Sequence, residues 1–119
     1  MDKFELIFPL KNEFLTTVRL TVGGVCSVAE FDVGTTEDLK VCITESLLIL
    51  KRGGFQKAKL CLTLGESLAC RILGEGERSS GEKDEISDEI SLSLLDALIG
   101  NAQFVKDDLG AVKEIYFEA

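Results

Sequence analysis

Residues 57–72 read KAKLCLTLGESLACRI, and their rhythm changes twice. Leu60, Leu62 and Leu64 fall on every second position, and so do Leu68, Cys70 and Ile72. Between the two runs stands Gly65-Glu66. A period of two places alternate side chains on opposite faces of a strand. Two such runs joined by a short glycine-containing turn predict a β-hairpin.

Toward the N-terminus, Phe4, Leu6, Phe8 and Leu10 alternate with Glu5, Ile7 and Pro9. This predicts a first strand, and Pro9 puts it at a sheet edge because proline cannot donate to a ladder. Asn12 is the expected cap of a helix running to about Glu30. Phe14, Leu15, Val18, Val22, Val25, Cys26 and Ala29 form its apolar stripe. The Gly23-Gly24 pair within it marks either a close packing contact or a kink. Gly34 breaks the chain, and Thr35 or Thr36 is expected to cap a second helix. Leu39, Cys42, Ile43, Ser46, Leu47 and Leu50 form its inner face, and Lys51-Arg52-Gly53-Gly54 ends it.

Toward the C-terminus, residues 74–85 read GEGERSSGEKDE and predict a polar loop. A third helix capped by Ser87 should bury Ile90, Leu92, Leu94, Leu95, Leu98 and Ile99, and stop at Gly100-Asn101. Two last strands, about Gln103–Lys106 and Val112–Phe117, flank a turn at Asp107–Gly110. The expected order is β-α-α-β-β-α-β-β. Short connections make neighbouring strands antiparallel, so the fold class is α+β. The expected architecture is a two-layer sandwich, a mostly antiparallel sheet of four or five strands with three helices on one face.

Composition narrows the functions. The 119 residues suit a single domain over 1–119. A net charge of −8 repels phosphate backbones, so nucleic-acid partners are not expected. There is no histidine, which removes the commonest general base and metal ligand. Cys26, Cys42, Cys61 and Cys70 contain no C-x-x-C spacing, so no metal site and no disulfide framework is expected. Charges at Asp2, Lys3 and Glu5 argue against a signal peptide, and no apolar run reaches membrane-spanning length. A soluble cytoplasmic protein with free, packed thiols is the expectation.

Three stretches carry a family resemblance: VRLTVGGVCSVAEFDVGTTEDLKVCITESLLIL at 18–50, CRILGEGE at 70–77 and ISLSLLDALIGNAQFVKDDLGAVKEIYFEA at 90–119. Together they resemble the anti-sigma-factor serine kinases, a branch of the histidine-kinase-like (Bergerat) ATPase fold. The resemblance implies a nucleotide-binding helix over Glu45–Ile49, an adenine-binding strand over Ile72–Gly76 and a phosphate-binding helix start near Glu89–Leu92.

Against the family's chemistry, several positions are changed. In the family's E-x-x-x-N the Glu activates a hydroxyl and the Asn holds Mg²⁺. Here the first position is Glu45 but the last is Ile49, and an alkyl group cannot ligate a hard cation. In D-x-G-x-G the Asp accepts from the adenine amino group. Here Gly74 and Gly76 remain, but the Asp position is Ile72. The glycine-rich helix start reads Glu89-Ile90-Ser91-Leu92, and Asp84, Glu85, Asp88 and Glu89 surround it with negative charge.

By resemblance, then, Glu45, Ile49, Ile72, Gly74 and Gly76 outline a degenerate ATP site, with Glu45 a vestigial catalytic candidate. No cofactor is expected beyond weak binding of ATP or Mg²⁺, and no membrane partner. The leading reading is a non-catalytic, pseudokinase-like module that binds a sigma factor or an anti-anti-sigma protein in transcription regulation, and can form a homodimer. The alternatives are an active ATP-dependent serine kinase acting on an anti-anti-sigma protein, and a structural subunit of a larger complex. Glu45, Gly74 and Gly76 also have plain structural readings, as a solvated helix residue and loop glycines.

Overall fold

The computed structural model describes residues 1–81 and 84–119. In chain order it comprises β1 (Asp2–Pro9), α1 (Asn12–Val28), α2 (Val33–Arg52), β2 (Phe55–Leu64), β3 (Leu68–Arg78), α3 (Glu85–Leu98), β4 (Gln103–Lys106) and β5 (Val112–Glu118). The five strands form one antiparallel sheet in the order β1-β2-β3-β5-β4. β1 lies at an edge, as Pro9 requires. The fold class is α+β, as the alternation and spacing predict.

Alternation along the strands decides which face is covered. Phe8, Leu60, Leu62, Leu68, Cys70, Ile72, Ile115 and Phe117 share one face and are buried. Against them pack Val18, Val22 and Cys26 of α1, Leu39, Ile43, Leu47 and Leu50 of α2, and Leu95 of α3. α2 lies centrally over β2, β3 and β5, with α1 and α3 on either side of it. The opposite sheet face is polar. Glu5 bridges to Lys3 at 3.4 Å and to Lys59 at 3.2 Å, Arg71 pairs with Glu114 at 3.1 Å, and the Arg71 guanidinium stacks on Tyr116. The two lysines hold the Glu5 carboxyl below its ordinary value, Lys59 most of all. Among the described residues, no helix is long and apolar enough to cross a membrane.

Five expectations need correction. β3 continues through Gly74–Arg78, so the polar loop is confined to Ser79–Asp84; its residues 82 and 83 lie outside the described ones. The cap of α2 is Asp32, whose carboxylate accepts from the Thr35 amide at 2.7 Å; Thr35, Thr36 and Gly34 all lie inside the helix. α3 is capped by Asp84, which accepts from both the amide and the hydroxyl of Ser87. Those bonds hold the Asp84 carboxyl low. Asn12 is the first residue of α1 rather than its cap, and its side-chain oxygen accepts from Lys51 at 2.9 Å. Finally, Ile90 and Leu92 are exposed, while Ser91 and Leu95 face inward. At Gly23, an added Cβ would sit 3.1 Å from Cε of Lys40, a tight contact with the far part of a flexible side chain and with no backbone atom of α2.

Candidate functional site

The C-terminal end of α2, the start of α3 and the β4–β5 hairpin enclose a cleft of about 710 Å³. Ile49, Leu92, Phe104, Leu109 and Val112 give it apolar walls, while Arg52, Arg78, Lys106 and Asp88 bring charge to it. Both arginines are engaged. Arg52 donates from Nε to Asp88 Oδ1 at 2.7 Å and from Nη2 to the buried Ser91 hydroxyl at 2.7 Å. Arg78 donates to the Gly53 carbonyl at 3.3 Å and pairs with Asp107 at 3.4 Å. Asp107 in turn accepts from the amides of Ala111 and Leu109, at 3.0 and 2.9 Å, and folds the hairpin turn. Those amide bonds, Ala111 first, and the nearby Arg78 hold its carboxyl below the ordinary value. The two arginines thus brace the walls, with their charge already matched by carboxylates.

The five positions drawn from the family pattern do not converge on this cleft. Ile49 lines it, only 6% exposed. Glu45 lies one turn earlier on α2, half-buried, and is not among the lining residues. Ile72 is fully buried, paired across the sheet with Leu60 and Ile115. Gly74 pairs with Ala58, and the Phe55 ring lies where its side chain would be; an added Cβ would come within 2.5 Å of it. Gly76 sits where the register shifts, the single residue between Phe55 and Lys57 of β2 lying opposite the two between Glu75 and Arg78 of β3, and has φ +76°. Such a bulge favours a glycine. The Glu89–Leu92 segment is the second turn of α3, not its start.

Sequence reasoning missed Arg78, Lys106 and Asp88 as cleft residues, and read Arg52 only as a helix-ending cation. Arg78 follows the loop-like run Gly74-Glu75-Gly76-Glu77, so no local signal in the sequence placed it at the cleft. Elsewhere, all four thiols are buried, which disfavours the thiolate. Burial pushes Cys42 up to about 11 and Cys70 to about 12, and also raises Cys26 and Cys61. All four are free. Among the described residues, no group of three or more Cys, Asp or Glu could hold a metal ion.

No protein-family model matches the chain, and no curated protein matches it at a significant level.

Proposed function

We propose that this chain is a non-catalytic, partner-binding regulatory module of the anti-sigma-factor kinase type, in which core packing has replaced nucleotide recognition. Ile72 carries the reading. The position that would specify adenine is wholly enclosed between Leu60, Ile115 and the overlying helices. A carboxylate there would be buried without a partner, and an isoleucine there offers adenine no acceptor. Ile49 adds to this, since a cleft ligand would meet an alkyl wall where the family presents a metal-binding amide. Gly74 and Gly76 are accounted for by the Phe55 ring and by the strand bulge.

On this reading the protein is cytoplasmic and binds a sigma factor or an anti-anti-sigma protein regardless of nucleotide. A ligand shifts an equilibrium only through its unequal affinity for two states, and a nucleotide that does not bind supplies no such difference. The test is the affinity for purified sigma factors and anti-anti-sigma proteins of the same genome, with and without Mg-ATP. Binding that changes less than threefold, about 0.65 kcal/mol, is expected. A larger change, or no binding to either class, overturns the proposal.

A further inference from the structure

α3 is apolar on two sides, and the fold uses one of them. Its inward side carries the buried Leu95 and Ser91, with Leu98 packed against the core. On the other side Ile86 and Ile90 are 73% and 55% exposed, and Leu94, half-buried, continues them one turn further on. With Ala97 and Ser93 they line a shallow groove of about 490 Å³. Residues at i, i+4 and i+8 form one continuous stripe on a helix. A stripe of this kind standing in solvent marks a surface that another molecule covers.

Charge identifies the occupant. At 100° per residue, Glu85, Glu89 and Asp96 form a column along one flank of the stripe. The helix contains no lysine or arginine. A second copy docked on this face would set the two acidic columns beside each other, and an anionic membrane would be repelled. An amphipathic helix with an apolar stripe and flanking lysine or arginine would bury Ile86, Ile90 and Leu94 and neutralise the column at once. We propose that the outer face of α3 is a docking surface for a basic amphipathic helix of a partner protein. This stands on the exposure and charge of α3 alone, so it survives if nucleotide proves to bind elsewhere.

The probe is a synthetic leucine/lysine peptide of amphipathic helical pattern, titrated into the full chain by fluorescence anisotropy. One-to-one binding is expected. Ile90→Glu adds a negative charge while removing apolar contact, so it separates the two contributions; a loss of tenfold or more is expected. Ile86→Ser removes apolar contact without changing charge, at a more exposed position, and a loss of about threefold is expected. The combined Glu85→Gln, Glu89→Gln, Asp96→Asn variant should lose about fivefold and bind with a weaker salt dependence. Ile7→Glu, on the exposed outer face of β1, should change nothing.

Equal or tighter peptide binding by Ile90→Glu overturns the proposal, because attraction to an acidic protein would then be sufficient. So does a dimer in sedimentation that Ile90→Glu dissociates, which would assign the face to a second copy. Ile90-dependent binding to phosphatidylcholine vesicles would assign it to lipid and overturn it equally.

Discussion

Ser79 donates twice to the carbonyl oxygen of Gly54, from its amide at 2.9 Å and from its hydroxyl at 3.1 Å. This clamp holds the end of β3 against the turn that leaves α2. It requires glycine at 54, where φ is +100° and an added Cβ would lie 2.1 Å from the Ser79 carbonyl oxygen. Gly54→Ala should therefore cost more than about 2 kcal/mol, combining left-handed strain with a backbone clash. Gly24→Ala is the matched control. It lies in the interior of α1 with nothing within 4 Å of an added Cβ, and should stabilise by about 0.5–1 kcal/mol. Urea unfolding of the two variants checks both signs.

Placing at position 72 the carboxylate that the kinase pattern has there should destroy the fold. Ile72→Asp places a charge at a site with no exposure and should cost more than about 4 kcal/mol. Ile72→Ala leaves only a cavity and should cost about 2–5 kcal/mol. Denaturant midpoints for both, with circular dichroism at pH 7, make the comparison.

The thiols set an alkaline limit to stability. Cys42 and Cys70 are held at about 11 and about 12, against an ordinary 9.0 in the unfolded chain. Folded values raised above unfolded ones mean that this contribution is complete below pH 9. It is lost as pH rises toward 11–12, because the unfolded chain releases protons first. Stability should accordingly fall between pH 9 and pH 12, and replacing both residues with Ala should flatten that fall. At pH 8 the native protein should react slowly with a thiol reagent and the urea-unfolded chain quickly.

Arg52 joins α2 to α3 through Asp88 and Ser91, and the two links differ in weight. Asp88 is well exposed, at 44%, so Asp88→Asn should cost less than about 1 kcal/mol. Arg52→Ala leaves the buried Ser91 hydroxyl without its partner and should cost about 1–3 kcal/mol. Arg52→Ala combined with Ser91→Ala should recover part of that loss, since no stranded hydroxyl remains. Thermal unfolding of the three variants gives the comparison.

Much of the architecture is legible in the alternation of residues 57–72 and in the helical spacing of α1 and α2, where a single apolar face leaves one choice. α3 is harder because Ile86, Ile90 and Leu94 compete with Leu95 and Leu98, and spacing alone does not say which stripe turns inward. The continuation of β3 is hidden for another reason. Gly74-Glu75-Gly76-Glu77 has a loop's composition, but Phe55 occupies the room left by Gly74 and the bulge uses Gly76. The helix caps were misplaced because Asp32 and Asp84 precede threonines or a serine that could equally accept the first amides. Of the cleft, only Ile49 could be reached from the family pattern. Arg78 and Lys106 come together through the pairing of β5 with β3 and β4, and Asp88 joins them through the packing of α3 on α2, and no local motif carries that.

Calorimetric titration with Mg-ATP at millimolar nucleotide tests most directly whether packing has replaced nucleotide recognition. The account predicts no saturable heat, or a dissociation constant weaker than about 100 μM, roughly −5.5 kcal/mol. Saturable one-to-one binding tighter than that would contradict it.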